Sequence, residues 1–150
     1  MTFQERMTWV SAVVSPVVAV VYSAVILSQL DDVTASEIAY QVPLLVAFGA
    51  SVLLMIGGAI AMAVVTAAQA EITGVGSVDD IDRKDERDAD IARRGDQVGL
   101  YVASAGAVGT LALTMLQADY VWIASALYLS FVVAAVAGDV VKIRAYRRGW

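Results

Sequence analysis

Apolar residues run almost unbroken through four stretches of this chain, and polar positions gather between them. No charged residue lies between Arg6 and Asp31, between Glu37 and Glu71, between Asp96 and Asp119, or between Asp119 and Asp139. A helix needs about 20 mainly apolar residues to cross roughly 30 Å of hydrocarbon, and each stretch reaches or approaches that length. Alternation at every second residue, the mark of a lipid-facing barrel, is absent, which leaves helices as the way to satisfy the backbone in lipid. The pattern predicts an all-α integral membrane four-helix bundle forming one domain over 1–150. Its spans fall at about 7–30, 43–69, 98–117 and 120–141. The polar segment at about 72–97 is expected in the cytoplasm, carrying a juxtamembrane helix between spans two and three.

Charge adds an orientation. All ten Lys and Arg residues fall before the first apolar run, between the second and third, or after the fourth. The other two connections carry Asp31, Asp32, Glu37 and Asp119 and no basic residue. Positive charge in short loops stays on the cytoplasmic side, so both termini are expected there, in a multi-pass protein of the cell membrane. The aromatic residues agree with this reading. Tyr40, Tyr120 and Trp122 fall where the outer interface is expected, and Trp9, Tyr101, Tyr146 and Trp150 at the inner one. The run from Met7 to Leu30 is of full spanning length, and Glu5 offsets Arg6, so the first span reads as an anchor rather than a cleaved signal.

Composition excludes more than it suggests. Of 150 residues, 59% are hydrophobic and the mean hydropathy is +0.72, above the roughly 45–50% apolar content of soluble domains. There is no Cys and no His, which removes thiolate nucleophiles, imidazole bases and nearly every zinc site. Arg outnumbers Lys, Ala, Val and Asp abound, and the sequence pI is near 4.5. That profile fits a salt-loving or high-GC prokaryote, since an acidic surface keeps a protein soluble in brine.

Within the spans, Pro16 is expected to kink the first helix, with Ser11, Ser15 and Ser23 near the carbonyl it frees. Ser36 is expected to cap a short turn in the outer loop, and Pro43 to open span two at its first helical position. Gly57 and Gly58 permit close helix approach at mid-depth. Gly95, Gly99, Ala103 and Ala107 recur every four residues as a small-residue stripe suited to helix packing, with Gly106 and Gly109 placed on other faces. Spans three and four are joined by only about Ala118, Asp119 and Tyr120, which requires an antiparallel hairpin.

The one concentrated polar segment, 78–97, reads VDDIDRKDERDADIARRGDQ. It holds i,i+4 pairs at Asp79–Arg83, Asp80–Lys84 and Asp90–Arg94, each contributing about 0.2–0.5 kcal/mol to a helix. Asp79, Asp82, Asp85 and Asp88 look like a ligand array, but steps of three wind around an α-helix. Only neighbours such as Asp85 and Asp88, or Asp82 and Glu86, can converge on one Mg²⁺. No Walker glycine loop, EF-hand or nucleophile elbow is present, and no metal site or cofactor is expected. Ion or proton transport normally leaves an ionisable residue at mid-membrane, and no span has one at its centre. Asp139 falls near the inner interface, one turn from Lys142, where a surface ion pair between the two is expected. Net charge is −5, which argues against nucleic acid. Lys142, Arg144, Arg147 and Arg148 instead suit anionic headgroups at about 1 kcal/mol each.

At Asp85–Gly95, DERDADIARRG, the chain resembles a family of small four-span prokaryotic predicted membrane proteins of unknown function. In that family a cytoplasmic Asp-Glu-Arg-Asp motif, an aliphatic residue and a small residue precede the third span. The matching positions here are Asp85, Glu86, Arg87, Asp88, Ile91 and Gly95. The resemblance implies a multi-pass membrane protein and supplies no activity.

The leading expectation is a non-enzymatic interaction or regulatory module. Its cytoplasmic charged helix docks an unknown protein partner or a second copy through Asp85, Glu86, Arg87, Asp88, Ile91 and Arg94, with Ile91 as the aliphatic anchor. Gly95, Gly99, Ala103 and Ala107 serve helix packing. The alternatives are an accessory subunit of a membrane transporter, which would use the bundle itself as contact surface, and a Mg²⁺-dependent lipid-headgroup enzyme.

Overall fold

The computed structural model describes residues 3–73 and 86–148. These residues form four long helices: α1 (Phe3–Gln29), α2 (Gln41–Thr73), α3 (Glu86–Met115) and α4 (Tyr120–Arg148), with a 3₁₀ turn at Ala35–Glu37. All four are long and apolar enough to cross a membrane, and no strand occurs among the described residues. The pairs Asp79–Arg83 and Asp80–Lys84, the acidic positions Asp82 and Asp85, and Trp150 lie outside the described residues.

The helices pack in the order α2, α1, α4, α3. α1 packs on both α2 and α4, α4 on both α1 and α3, while α2 and α3 share no contact of comparable extent. The core lies where α1, α2 and α4 meet. Val18, Ala19, Tyr22 and Ile26 of α1 bury against Val121 and Tyr128 of α4 and Ala47 of α2. Their spacings of three and four place them on one stripe of each helix. The outer faces are apolar as well: Leu45 and Leu53 of α2 are 71% and 70% exposed and Leu111 of α3 is 63% exposed. Exposed apolar surface on this scale calls for a membrane or a partner.

The connections are closed by local hydrogen bonds. Ile38 of the first loop is buried, and the Ala39 N–H donates to Gln29 Oε1 at 3.2 Å, tying the loop to the end of α1. The residue that caps the 3₁₀ turn by position is Thr34 rather than Ser36; its hydroxyl donates to Glu37 Oε2 at 2.9 Å and accepts no backbone N–H of the turn. Pro43 sits two residues inside α2, still in the first turn, where backbone N–H groups lack intrahelical partners. α1 continues through Pro16 as one helix.

The hairpin between α3 and α4 turns on Gln117, which has a φ of 55°. Its N–H bonds to the Thr114 carbonyl and the Ala118 N–H to the Leu113 carbonyl, both at 3.1 Å. That is the paired bonding of a helix terminated by one left-handed residue. Asp119 then accepts from the N–H groups of Trp122 and Ile123, starting α4 at once.

Among the described residues the charged segment forms no juxtamembrane helix of its own between spans two and three. From Glu86 to Gln97 it is the opening of α3 itself, continuous with the apolar part through Met115. The helical backbone is uninterrupted there, and only the surroundings of its side chains change.

Candidate functional site

Small residues set the geometry of the end of the bundle that carries the basic residues. α3 and α4 approach so closely that a Cβ on Gly95 would stand 2.8 Å from the Gly138 carbonyl oxygen and 2.5 Å from Lys142 Cγ. A Cβ on Gly138 would stand 2.9 Å from the Gly95 oxygen, and one on Gly99 3.2 Å from the Ala134 oxygen. Farther along, Gly106 takes the place against α4, where a Cβ would overlap the Ser130 side chain. Gly106 thus belongs to the packing face, contrary to the strict four-residue stripe ending at Ala107. Neither a strict four-residue nor a strict three-residue step keeps to one side of a straight helix with 3.6 residues per turn. The contacting residues therefore mix the two spacings.

This approach brings charged groups of two helices together. Lys142 Nζ donates to Asp96 Oδ1 at 2.7 Å, with the Lys142 side chain 21% exposed and that of Asp96 72% exposed. The expected pairing of Lys142 with Asp139 is therefore corrected: the lysine turns across to α3, because Gly95 and Gly138 leave room for its stem to lie over the helix contact. Asp139 is 6% exposed, and its Oδ2 is buried without a hydrogen-bond partner. Ser11 of α1 and Lys142 both lie near enough to act on the Asp139 carboxylate.

Ser11, Asp96, Asp139 and Lys142 line an open groove of about 430 Å³, whose remaining walls are small or apolar, including Leu100, Ala103 and Ala134. α4 is its floor. Its walls belong to α1 and α3, which flank α4 without packing on each other over any length. Beside the groove, Arg147 of α4 lies over the Trp9 ring of α1, 5.9 Å from its centroid. The buried carboxylate was not legible in the sequence, where Asp139 has a lysine one turn away. Its one available signal was the pair of small residues, Gly138 and Ala134, that sink this side of α4 against α3.

The predicted docking residues separate into groups. Asp85 lies outside the described residues, and Glu86 and Arg87 form the first turn of α3. Asp88 and Ile91 are buried, at 9% and 4% exposure. Ile91 therefore packs within the chain and is not presented as an anchor. Arg94 is exposed and pairs with Asp90 at 2.8 Å. The outward face of these turns consists of Asp90, Arg93, Arg94, Asp96 and Gln97. Among the described residues no three carboxylates gather around one point.

A second polar cluster sits deeper, toward the other end of the spans. Tyr22 Oη and Ser125 Oγ are 2.8 Å apart, joining α1 to α4. The Tyr22 and Tyr128 rings meet edge to face with centroids 4.9 Å apart. The Tyr128 hydroxyl is buried without a hydrogen bond of ordinary geometry, and Ser51 of α2 is the polar group beside it. Ser51 itself donates to the Ala47 carbonyl at 2.9 Å. Neutral groups of this kind fix helix register, and none is a nucleophile activated by a neighbouring base.

Comparison with protein-family models, with curated proteins and with solved structures finds no match to this chain.

Proposed function

We propose that the chain is a non-enzymatic multi-pass protein of a prokaryotic cell membrane, with both termini in the cytoplasm, that docks a protein partner through the charged opening of α3. The observation that carries this reading is the continuity of α3 from Glu86 to Met115. Twelve residues of charged helix extend the apolar span as one rigid body, about 18 Å long at 1.5 Å per residue. A rigid extension loses little conformational freedom on binding, which favours association. The contact face is then Asp90, Arg93, Arg94 and Gln97, rather than Ile91 and Asp88, which the chain has already buried. Of the residues that carry the resemblance to four-span prokaryotic proteins, Glu86, Arg87, Asp88, Ile91 and Gly95 lie on these same turns.

The test is capture of the tagged protein from its native membrane in mild detergent, beside a variant carrying Asp90→Asn, Arg93→Gln and Arg94→Gln. A co-purifying protein lost in the variant supports docking through α3. The same partners recovered from both would defeat it. They would favour the second reading, an accessory subunit of a transporter that uses the bundle as its contact surface. One feature speaks for that reading: α2 packs on α1 alone to any extent and leaves large apolar residues exposed along its length.

A further inference from the structure

The end of the bundle opposite the basic residues holds a cavity that the docking proposal does not use. It measures about 610 Å³ and lies between the first loop and the α3–α4 hairpin, within the range of small-molecule sites, about 300–1,000 Å³. Ile38 of the loop and Val121 of α4, both buried, supply its apolar part. Hydrogen bonds hold both walls. The loop is tied to Gln29 through the Ala39 N–H at 3.2 Å, and the hairpin is closed by the paired bonds around Gln117. The cavity is therefore already shaped in the protein alone, which lowers the ordering cost of binding.

Two polar residues of the hairpin line this cavity with side chains that the fold does not use. Asp119 starts α4 through its backbone carbonyl, which accepts from the Trp122 and Ile123 N–H groups. Among the described residues its exposed carboxylate makes no hydrogen bond or ion pair. Gln117 holds a φ of 55°, where glycine would sit without strain, and its carboxamide also has no partner among the described residues. A strained non-glycine residue kept where glycine would serve points to a use for its side chain.

Charge and aromatic rings select the ligand. The connections at this end carry Asp31, Asp32, Glu37 and Asp119 and no Lys or Arg, so anions are repelled. Asp119 is the one charged residue lining the cavity, and Tyr40 and Tyr120 line it as well. A carboxylate together with aromatic rings is a combination that holds ammonium groups. We infer that this cavity binds a small organic cation of the ammonium type, paired with Asp119, in contact with Tyr40 and Tyr120 and oriented by the Gln117 carboxamide.

Purified full-length protein in a nonionic detergent and an amine-free buffer is titrated with tetramethylammonium and ethylammonium, and binding is read by ligand-observed NMR. Physiological salt screens attraction to distant surface charge, and tert-butanol and ethanol serve as neutral counterparts. The cations are expected to bind saturably, about tenfold or more tightly than the alcohols. Asp119→Asn keeps a good helix-capping residue and is expected to weaken cation binding about tenfold, leaving the alcohols unchanged. Tyr120→Leu, at a position 77% exposed, is expected to weaken it about two- to fivefold. Gln117→Gly is expected to raise the melting temperature and weaken cation binding together. Absence of saturable cation binding overturns the inference, as does equal binding of the alcohols or an affinity unchanged in Asp119→Asn. An affinity unchanged in Gln117→Gly overturns the role given to that side chain.

Discussion

Lys142 crosses from α4 to Asp96 on α3, 2.7 Å away, and by doing so leaves Asp139 on its own helix without an ion pair. The two carboxylates compete for one ammonium. Asp96 is the more exposed and takes the direct contact, while Lys142 and Ser11 still bear on the buried Asp139, and the arrangement depends on glycine at both Gly95 and Gly138.

That competition predicts unequal effects at the two ends of the ion pair. In Asp96→Asn the freed lysine can turn to Asp139, and the exposed carboxylate contributed little. The cost is expected to be below about 1 kcal/mol. Lys142→Met leaves both carboxylates at the bundle's end without their cation and is expected to cost about 1–3 kcal/mol. Melting curves of the two variants in the same detergent check the order; equal losses would show that Lys142 acts only through Asp96.

Glycine positions on the α3–α4 contact are expected to respond differently from those facing lipid. A methyl at Gly138 meets the Gly95 carbonyl oxygen at 2.9 Å, backbone that cannot move aside alone, whereas a methyl at Gly57 meets nothing within 4 Å. Gly138→Ala is expected to separate the helices and cost about 1–3 kcal/mol. Gly57→Ala is expected to be neutral or to stabilise by up to about 1 kcal/mol through helix propensity. Thermal unfolding of both single variants tests the contrast.

These residues also mark how far the sequence could be read. Four helices followed from the charge-free runs, and the tight hairpin from the three-residue link, because both depend on local length and polarity. The charged segment was expected to feed directly into span three, and from Glu86 it is the opening of α3 rather than an element of its own, because composition changes at Gln97 and backbone propensity does not. Gly106 was placed on the wrong face by extending a fixed step of four. Asp139 and Ile91 were misjudged for one common reason: their burial is decided by a second helix, and one chain segment read alone contains no record of which neighbour will cover it.

The Tyr22–Ser125 pair offers a direct measure of polar coupling between α1 and α4. A double-mutant cycle of Tyr22→Phe and Ser125→Ala is expected to give a coupling of about 0.6 kcal/mol, the average for interhelical hydrogen bonds in membranes. Tyr128→Phe removes a hydroxyl that has no ordinary hydrogen bond and is expected to be neutral or stabilising. A loss above about 1 kcal/mol at Tyr128 would mean that its hydroxyl is satisfied in the membrane, with Ser51 the first group to examine.

Orientation is accessible because the chain has no cysteine, so single introduced thiols report without background. Ser36→Cys in the first loop is expected to react with a membrane-impermeant maleimide in intact cells. Arg93→Cys, exposed on the first turns of α3, is expected to react only after the cells are opened. The reverse pattern would invert the topology and place the proposed docking face outside the cell.

The hairpin carries a local strain that a single substitution can relieve. Gln117 holds a φ of 55°, a conformation that L side chains other than Asn and Asp rarely adopt and glycine adopts freely. The bonds that require it, from Gln117 to Thr114 and from Ala118 to Leu113, use backbone atoms alone and survive the change. Gln117→Gly is therefore expected to stabilise the α3–α4 hairpin by about 0.5–1 kcal/mol, part of the relieved strain being offset by the freedom glycine gains in the unfolded chain. Gln117→Val, β-branched in the same conformation, is expected to shift melting in the opposite direction. If both substitutions moved the midpoint alike, the left-handed turn would not be what closes this hairpin.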